Sequence, residues 1–311
     1  MSAPERNAPD HYAPHRYEVR HETAYTYELD VTSSFGRACL RPRETAYQRI
    51  LTHEISVSPE PDVLDEHTDL FGNHSHYVEI QTPHTSLVVT KRSTVLVEFD
   101  RVDLDGLNAM TVAEAAAAVA ADETVDPLER AIFSLPSELV ELSPPVHAFA
   151  QTLLWPERGL GDAIRAMYHD IYTDFTYSKG ATSVKTTLPE LLESRAGVCQ
   201  DFAHLAVGCF RAVGLPARYV SGYIETYAPP GQQKLAGSDA THAWASVMIP
   251  GGRWVDLDPT NDHLADSRYI TTAWGRDFRD VSPLKGVIFT EGKRSTLKVG
   301  VDVIPIPDPT G

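Results

Sequence analysis

The chain has 311 residues, enough for a large core and, on length alone, two domains. Its 43 acidic against 27 basic residues give a formal net charge of −16, which argues against nucleic acid or an anionic membrane surface as a partner. Three cysteines (Cys39, Cys199, Cys209) are too few for a disulfide framework, the amino terminus lacks a signal-like apolar stretch, and no apolar run reaches the ~18 residues of a membrane span, so a soluble cytoplasmic protein is expected.

Residues 1–14 are polar and proline-bearing and read as disordered. Alternation of period two then sets in at Tyr17 and Val19, at Tyr25, Tyr27, Leu29 and Val31, at Leu51, Ile55 and Val57, at Val78 and Ile80, and at Val95, Val97 and Phe99. Pro59, Gly72-Asn73 and Pro83 punctuate these runs. The pattern predicts an N-terminal antiparallel β-sandwich over 15–105. His74 and His76 lie two apart within it, a spacing shared by metal pairs and, far more often, by surface histidines of a hairpin.

Between Asp100 and Ser143 the signal weakens, apart from an alanine-rich helix at Val112–Ala121. Ser143 opens a helix reaching about Trp155, and Ile164, Met167, Tyr168, Ile171, Tyr172 and Phe175 form a helical stripe that reads as core. Thr187-Leu-Pro-Glu190 is a capping box for a short helix that ends before Gly197. A second helix carries Phe202, Leu205, Ala206, Cys209, Phe210 and Val213 on one face and is stopped by Gly214 and Pro216. Cys209 lies on that stripe and reads as a small hydrophobe. Cys199 lies off it in the first turn, where the helix dipole favours a thiolate.

A strand at Arg218–Glu225 leads into a long loop through Ala228-Pro-Pro-Gly231 and Gly237, which is placed to border a substrate cleft. His242–Ile249 and Arg253–Asp258 read as a hairpin around Pro250-Gly-Gly252. Centring the turn on Pro250 sets His242 opposite Asp258 and Ser246 opposite Trp254, all on one face, with opposed Cβ atoms ~5 Å apart. Leu297, Val299, Val301 and Val303 alternate in a last strand that returns to a sheet.

Thiol acyl transfer needs a nucleophile, an imidazole that holds and delivers its proton, and a group orienting that imidazole; Cys199, His242 and Asp258 supply them in that order. His204 is the rival base, but five residues along the Cys199 helix it points elsewhere on the wheel. Asp256 shares the face of Asp258 and is the rival orienter. Gln200 and Asp201 are expected to bond backbone or neighbours, while Trp244 and Trp254 either wall the cleft or pack in the core. In the expected cycle the thiolate attacks an amide carbonyl, the Cys199 N–H and a second donor hold the oxyanion, His242 protonates the leaving amine, and water or an amine resolves the thioester. No cofactor, nucleotide or metal is required, and a zinc site through Cys199, His204 and His242 lacks paired spacing. A non-catalytic peptide-binding module on the same fold would ordinarily have lost the nucleophile or base, and both are present.

Gly197-Val-Cys-Gln-Asp-Phe-Ala-His204, Pro216-Ala-Arg-Tyr-Val-Ser-Gly-Tyr223, Thr241-His-Ala-Trp244 and Trp254 through Asp258-Pro-Thr-Asn261 resemble the bacterial transglutaminase-like cysteine peptidase family. The segment from about Arg16 to Phe99 is similar to the β-domain that precedes the core in those proteins. The resemblance implies an α+β fold whose papain-like, transglutaminase-like core, over 106–311, packs a cysteine-bearing helix on an antiparallel sheet. It carries nucleophile, base and orienter onto Cys199, His242 and Asp258. Members include peptidases, amidases and crosslinking enzymes, so the expected substrate is an amide or isopeptide bond of a peptide, protein or γ-glutamyl compound. Hydrolysis is slightly favoured over amine transfer, because water far outnumbers any amine.

Overall fold

The computed structural model describes residues 10–226 and 241–307, so the expectations for residues 1–9 and for the loop through 228–237 lie outside the described residues. In chain order the first part holds β1 (His15–Ala38), β2 (Gln48–Ser58), β3 (Val63–Thr68), β4 (His74–Ile80) and β5 (His84–Val97). A helical stretch follows: α1 (Leu104–Leu107), α2 (Val112–Ala121), α3 (Pro127–Ser134), α4 (Pro144–Leu153) and α5 (Leu160–Asp174). Next come β6 (Thr176–Tyr177), α6 (Leu188–Ser194), β7 (Ala196–Gly197) and α7 (Cys199–Ala212). The chain continues with β8 (Ala217–Ile224), β9 (Thr241–Ile249), β10 (Arg253–Asp258), β11 (His263–Leu264), β12 (Tyr269–Gly275), α8 (Phe278–Val281), β13 (Leu284–Thr290) and β14 (Ser295–Pro305).

The architecture is α+β. β1 runs for 24 residues and is shared by two sets of neighbours. Its first half pairs with β5 and β14; after a register break between Thr26 and Val31, its second half pairs with β13 and β4. Residues 284–305, expected with the catalytic part, therefore add to the sheet of β1, and both ends of the chain build the β-domain. Residues 10–14, expected to be disordered, form a turn in which Asp10 O accepts from Ala13 N, and His11 O accepts from Ser267 N. β3, absent from the sequence reading, is an edge strand with every residue exposed, so it shows no apolar alternation.

The other half is a five-stranded antiparallel sheet, ordered β11-β10-β9-β8-β12, with α7 packed on one face. The stripe read from the sequence is buried there: Phe202, Leu205, Ala206, Cys209 and Phe210 meet Val247, Ile249, Val255 and Leu257. On the other side Tyr17, Val19, Val95, Val97, Val301 and Val303 of the β-domain pack on Val220, Tyr223, Trp244, Tyr269 and Ile270. The outer edge of β12 is closed by side-chain amides in place of a strand. Gln48 donates to Thr271 O and accepts from Thr271 N, and Asn73 does the same for Trp274 at 2.8 and 3.0 Å. Burying a sheet edge needs such partners, and here they lock the two halves together.

Candidate active site

The local sequence sets Cys199 at a helix start by a short series of steps. α6 is capped reciprocally by Thr187 and Glu190 and ends at Arg195, in the left-handed region at φ 52°. Ala196 and Gly197 then pair in parallel with Thr176 and Tyr177. A Cβ on Gly197 would lie 2.9 Å from both Asp201 Oδ2 and Leu191 Cδ1, so a larger residue would have to displace the Asp201 carboxylate that caps the turn. Val198 is extended, its N–H donates to Asp201 Oδ2 at 2.8 Å, and α7 begins with Cys199. Asp201 also accepts from Thr182 Oγ1 at 2.6 Å; burial pushes its carboxyl pKa up, and it serves the turn rather than the cleft.

His242 comes from β9 and Asp258 from the end of β10. The hairpin register differs from the expected one. Ile249 pairs with Arg253, Val247 with Val255 and Ser246 with Asp256, because the turn is a three-residue loop with Gly251 and Gly252 both at positive φ. His242 is therefore not directly opposite Asp258. The slip is by two residues, which preserves the face, and the pair meets diagonally: His242 Nε2 lies 2.6 Å from Asp258 Oδ2. The Cys199 side chain interacts with the same ring. The structure thus brings Cys199, His242 and Asp258 together.

Asp258 is fully buried and saturated. Besides His242, its Oδ2 accepts from Tyr269 Oη at 2.6 Å and Asn261 Nδ2 at 2.7 Å, and its Oδ1 accepts from Thr260 N at 2.8 Å. Burial alone would push the carboxyl pKa up, but His242 and these donors hold it well below the usual carboxylate range. Burial would likewise lower His242; the facing Asp258 carboxylate and the Cys199 contact win and raise it above its ordinary value.

Tyr269 was missed by the sequence reading because β12 was not recognised. The run Tyr-Ile-Thr-Thr-Ala-Trp at 269–274, dense in β-branched and aromatic residues, was the available signal. Asn261 enters the sequence reading only as the last residue of the Trp254-to-Asn261 motif, with no role toward Asp258 assigned to it.

The rivals are otherwise engaged. Asp256 accepts from Trp244 Nε1 at 3.1 Å and Tyr47 Oη at 3.2 Å. His204 is buried against Tyr219, its Nε2 accepts from Phe278 N at 3.1 Å, and burial lowers it to about 4, so it holds the α8 turn as a neutral ring. Trp244 is fully buried, stacked with His242 at 6.2 Å and edge-on to Tyr269 at 5.2 Å; a Cβ on Gly222, which pairs with His242, would strike it. Trp254 packs on Arg218 and Phe133. Neither tryptophan lines the cleft. His74 and His76 sit beside Glu66, and among the described residues no group of three or more His, Cys, Asp or Glu is arranged to hold a metal.

The cleft over Cys199 and His242 has a volume of about 400 Å³ and lies between the two halves of the molecule. Residues 147–259 match the pattern of the Transglutaminase-like superfamily, and residues 17–96 that of the Bacterial transglutaminase-like N-terminal region. The chain belongs to the transglutaminase-like superfamily. An uncharacterised protein from Mycobacterium tuberculosis is 43% identical over a stretch covering 94% of this chain and 93% of its own length. A protein-glutamine gamma-glutamyltransferase of Pseudomonas aeruginosa is 32% identical over a stretch covering 28% of this chain and 13% of that protein. Among solved structures, a protein from Cytophaga hutchinsonii described as a candidate cysteine protease superposes with a TM-score of 0.76 at 20% identity, covering 96% of this chain and 93% of that one. The core has the transglutaminase-like architecture of a thiol enzyme.

Proposed function

We propose that the protein is a cofactor-free thiol enzyme that breaks amide or isopeptide bonds of a peptide or protein through a thioester on Cys199. The observation that carries this reading is the His242 ring held between a buried carboxylate and a partly exposed sulfur at a helix start. The Cys199 thiolate attacks the carbonyl carbon while the Cys199 N–H, which as a first-turn donor has no carbonyl a turn earlier in its helix, faces the developing oxyanion. His242, whose raised pKa favours the imidazolium, passes its proton to the departing amine, and Asp258 keeps the ring oriented. The ring then takes a proton from water, and the resulting hydroxide attack releases the acid and restores the thiolate beside the imidazolium. Hydrolysis is the expected fate because Cys199 is reached by solvent; transfer to a second amine is the variant reaction.

Alkylation with iodoacetamide at pH 6 tests this. Burial pushes Cys39 up to about 11 and Cys209 further still, so both stay protonated and shielded. Cys199 is expected to react at least tenfold faster than either, and Cys199→Ala to abolish turnover while leaving the fold intact. Equal slow labelling of all three, or undiminished turnover in Cys199→Ala, refutes the reading.

A further inference from the structure

The cleft has one wall that the proposed chemistry does not use. Val301 and Val303 of β14 are fully buried against the catalytic sheet, and the same face of the strand continues toward the cleft as Val299 and Leu297, 49% and 51% exposed. Their partners on β1, Thr23 and Tyr25, line the cleft as well. Tyr177, 48% exposed, and Phe278 also line it. Among the described lining residues there is no Asp, Glu, Lys or Arg, although the chain carries 70 such residues in all.

Resting on the reading above, we infer that Tyr25, Leu297 and Val299 form a specificity subsite that takes an uncharged apolar or aromatic side chain of a polypeptide acyl donor, next to the scissile amide. Two arguments select this occupant. Exposed apolar side chains that continue a buried interface and stop at a nucleophile gain by being covered, and the group placed to cover them is the one attached to the reacting carbonyl. A free γ-glutamyl amino acid brings an ammonium and a carboxylate, and apart from the Cys199–His242 pair, which the reaction itself occupies, the described walls offer neither a counter-charge; burying such charges unpaired is costly. A neutral stretch of peptide brings no such charge. The β-domain thereby acquires a role: the two ends of the chain set which side chain is accepted, while the core performs the chemistry.

The test separates binding from turnover. In the full-length Cys199→Ala protein, fluorescence anisotropy with labelled peptides should show that peptides bearing Leu or Phe beside a glutamine bind at least tenfold more tightly than the same peptides bearing Glu. Leu297→Glu and the milder Val299→Thr, both at half-exposed positions that tolerate substitution, should weaken the apolar peptide about tenfold and severalfold respectively. γ-Glutamyl-alanine should not compete. In the enzyme with Cys199 intact, the same variants should raise KM with little change in kcat and leave the iodoacetamide rate of Cys199 unaltered. Equal affinity for apolar and acidic peptides, unchanged affinity in both variants, or competition by γ-glutamyl-alanine overturns the subsite. Slow labelling of Cys199 instead overturns the thiol chemistry, so the two failures are distinguishable.

Discussion

His242 and Lys91 are both basic, both buried, and both packed against β8, yet their surroundings push them in opposite directions. His242 faces Asp258 at 2.6 Å and its pKa is raised. Lys91, with no exposed surface, rests its Nζ 4.2 Å above the Tyr223 ring with no hydrogen-bond partner among the described residues. Its neighbours, His21 and His53, are themselves lowered to about 3 and about 4 by burial, with Lys91 adding to the effect. Burial then acts on Lys91 unopposed and drives its pKa well down. Burial is common to the two groups, so it is the carboxylate first, with the Cys199 contact adding to it, that decides which of them keeps its proton. A cation over an aromatic face gains something, but less than a buried carboxylate supplies.

Removing the carboxylate should turn the first case into the second. Asp258→Ala is expected to cut kcat/KM by about 10³-fold or more, leaving residual activity, and to lower stability by about 3 kcal/mol, measured by steady-state kinetics and denaturant unfolding. The His242 titration, followed by NMR, should then move from above its ordinary value to below it. If it stays high, the charge balance drawn here is wrong.

The second test removes the unpaired base. Lys91→Met should stabilise the protein by about 1–3 kcal/mol at neutral pH. The sign follows from linkage: the folded Lys91 pKa is depressed, so between it and the unfolded value near ~10.4 the unfolded chain binds the extra proton, and stability rises with pH. The gain from Lys91→Met should accordingly shrink as the pH approaches 11. A smaller effect is expected for Tyr269→Phe, which takes one donor from Asp258 Oδ2 and leaves His242 and Asn261 in place. Activity should fall about tenfold, and the acid limb of the pH profile should shift upward, since a carboxylate with fewer donors protonates more readily.

The gentlest comparison uses pH alone. Asp258 is depressed in the folded state, so its contribution is complete above the ordinary value near ~3.9 and is lost as pH falls through the lowered one. His242 is raised, so its contribution is complete below ~6.5 and is lost as pH rises through the higher folded value. The stability difference between wild type and His242→Ala should therefore be largest between about pH 4 and 6.5.

Much of this was legible in the residues. The capping box at Thr187 and Glu190, the stripe from Phe202 to Phe210, the stop at Gly214 and the choice of Cys199 over Cys209 all follow from local rules, because caps, glycines and helical spacing act over a few residues. His242 and Asp258 were assigned to one face correctly but in a register two residues off, since nothing local to Pro250 tells whether one residue or three will form the turn. β3 escaped notice because an edge strand needs no apolar alternation, and α3, β12 and β13 because short runs carry weak periodicity.

Side-chain chemistry, order along the chain and period were determined by the sequence by itself; they nominated a cysteine, a histidine and two competing aspartates. Recruiting Tyr269, leaving the Lys91 ammonium without a hydrogen-bond partner among the described residues and joining β14 to β1 were decided only by the tertiary structure. Each of these depends on contacts between residues far apart in the chain, whose energies are set by burial and by which partner arrives, quantities that no local pattern encodes.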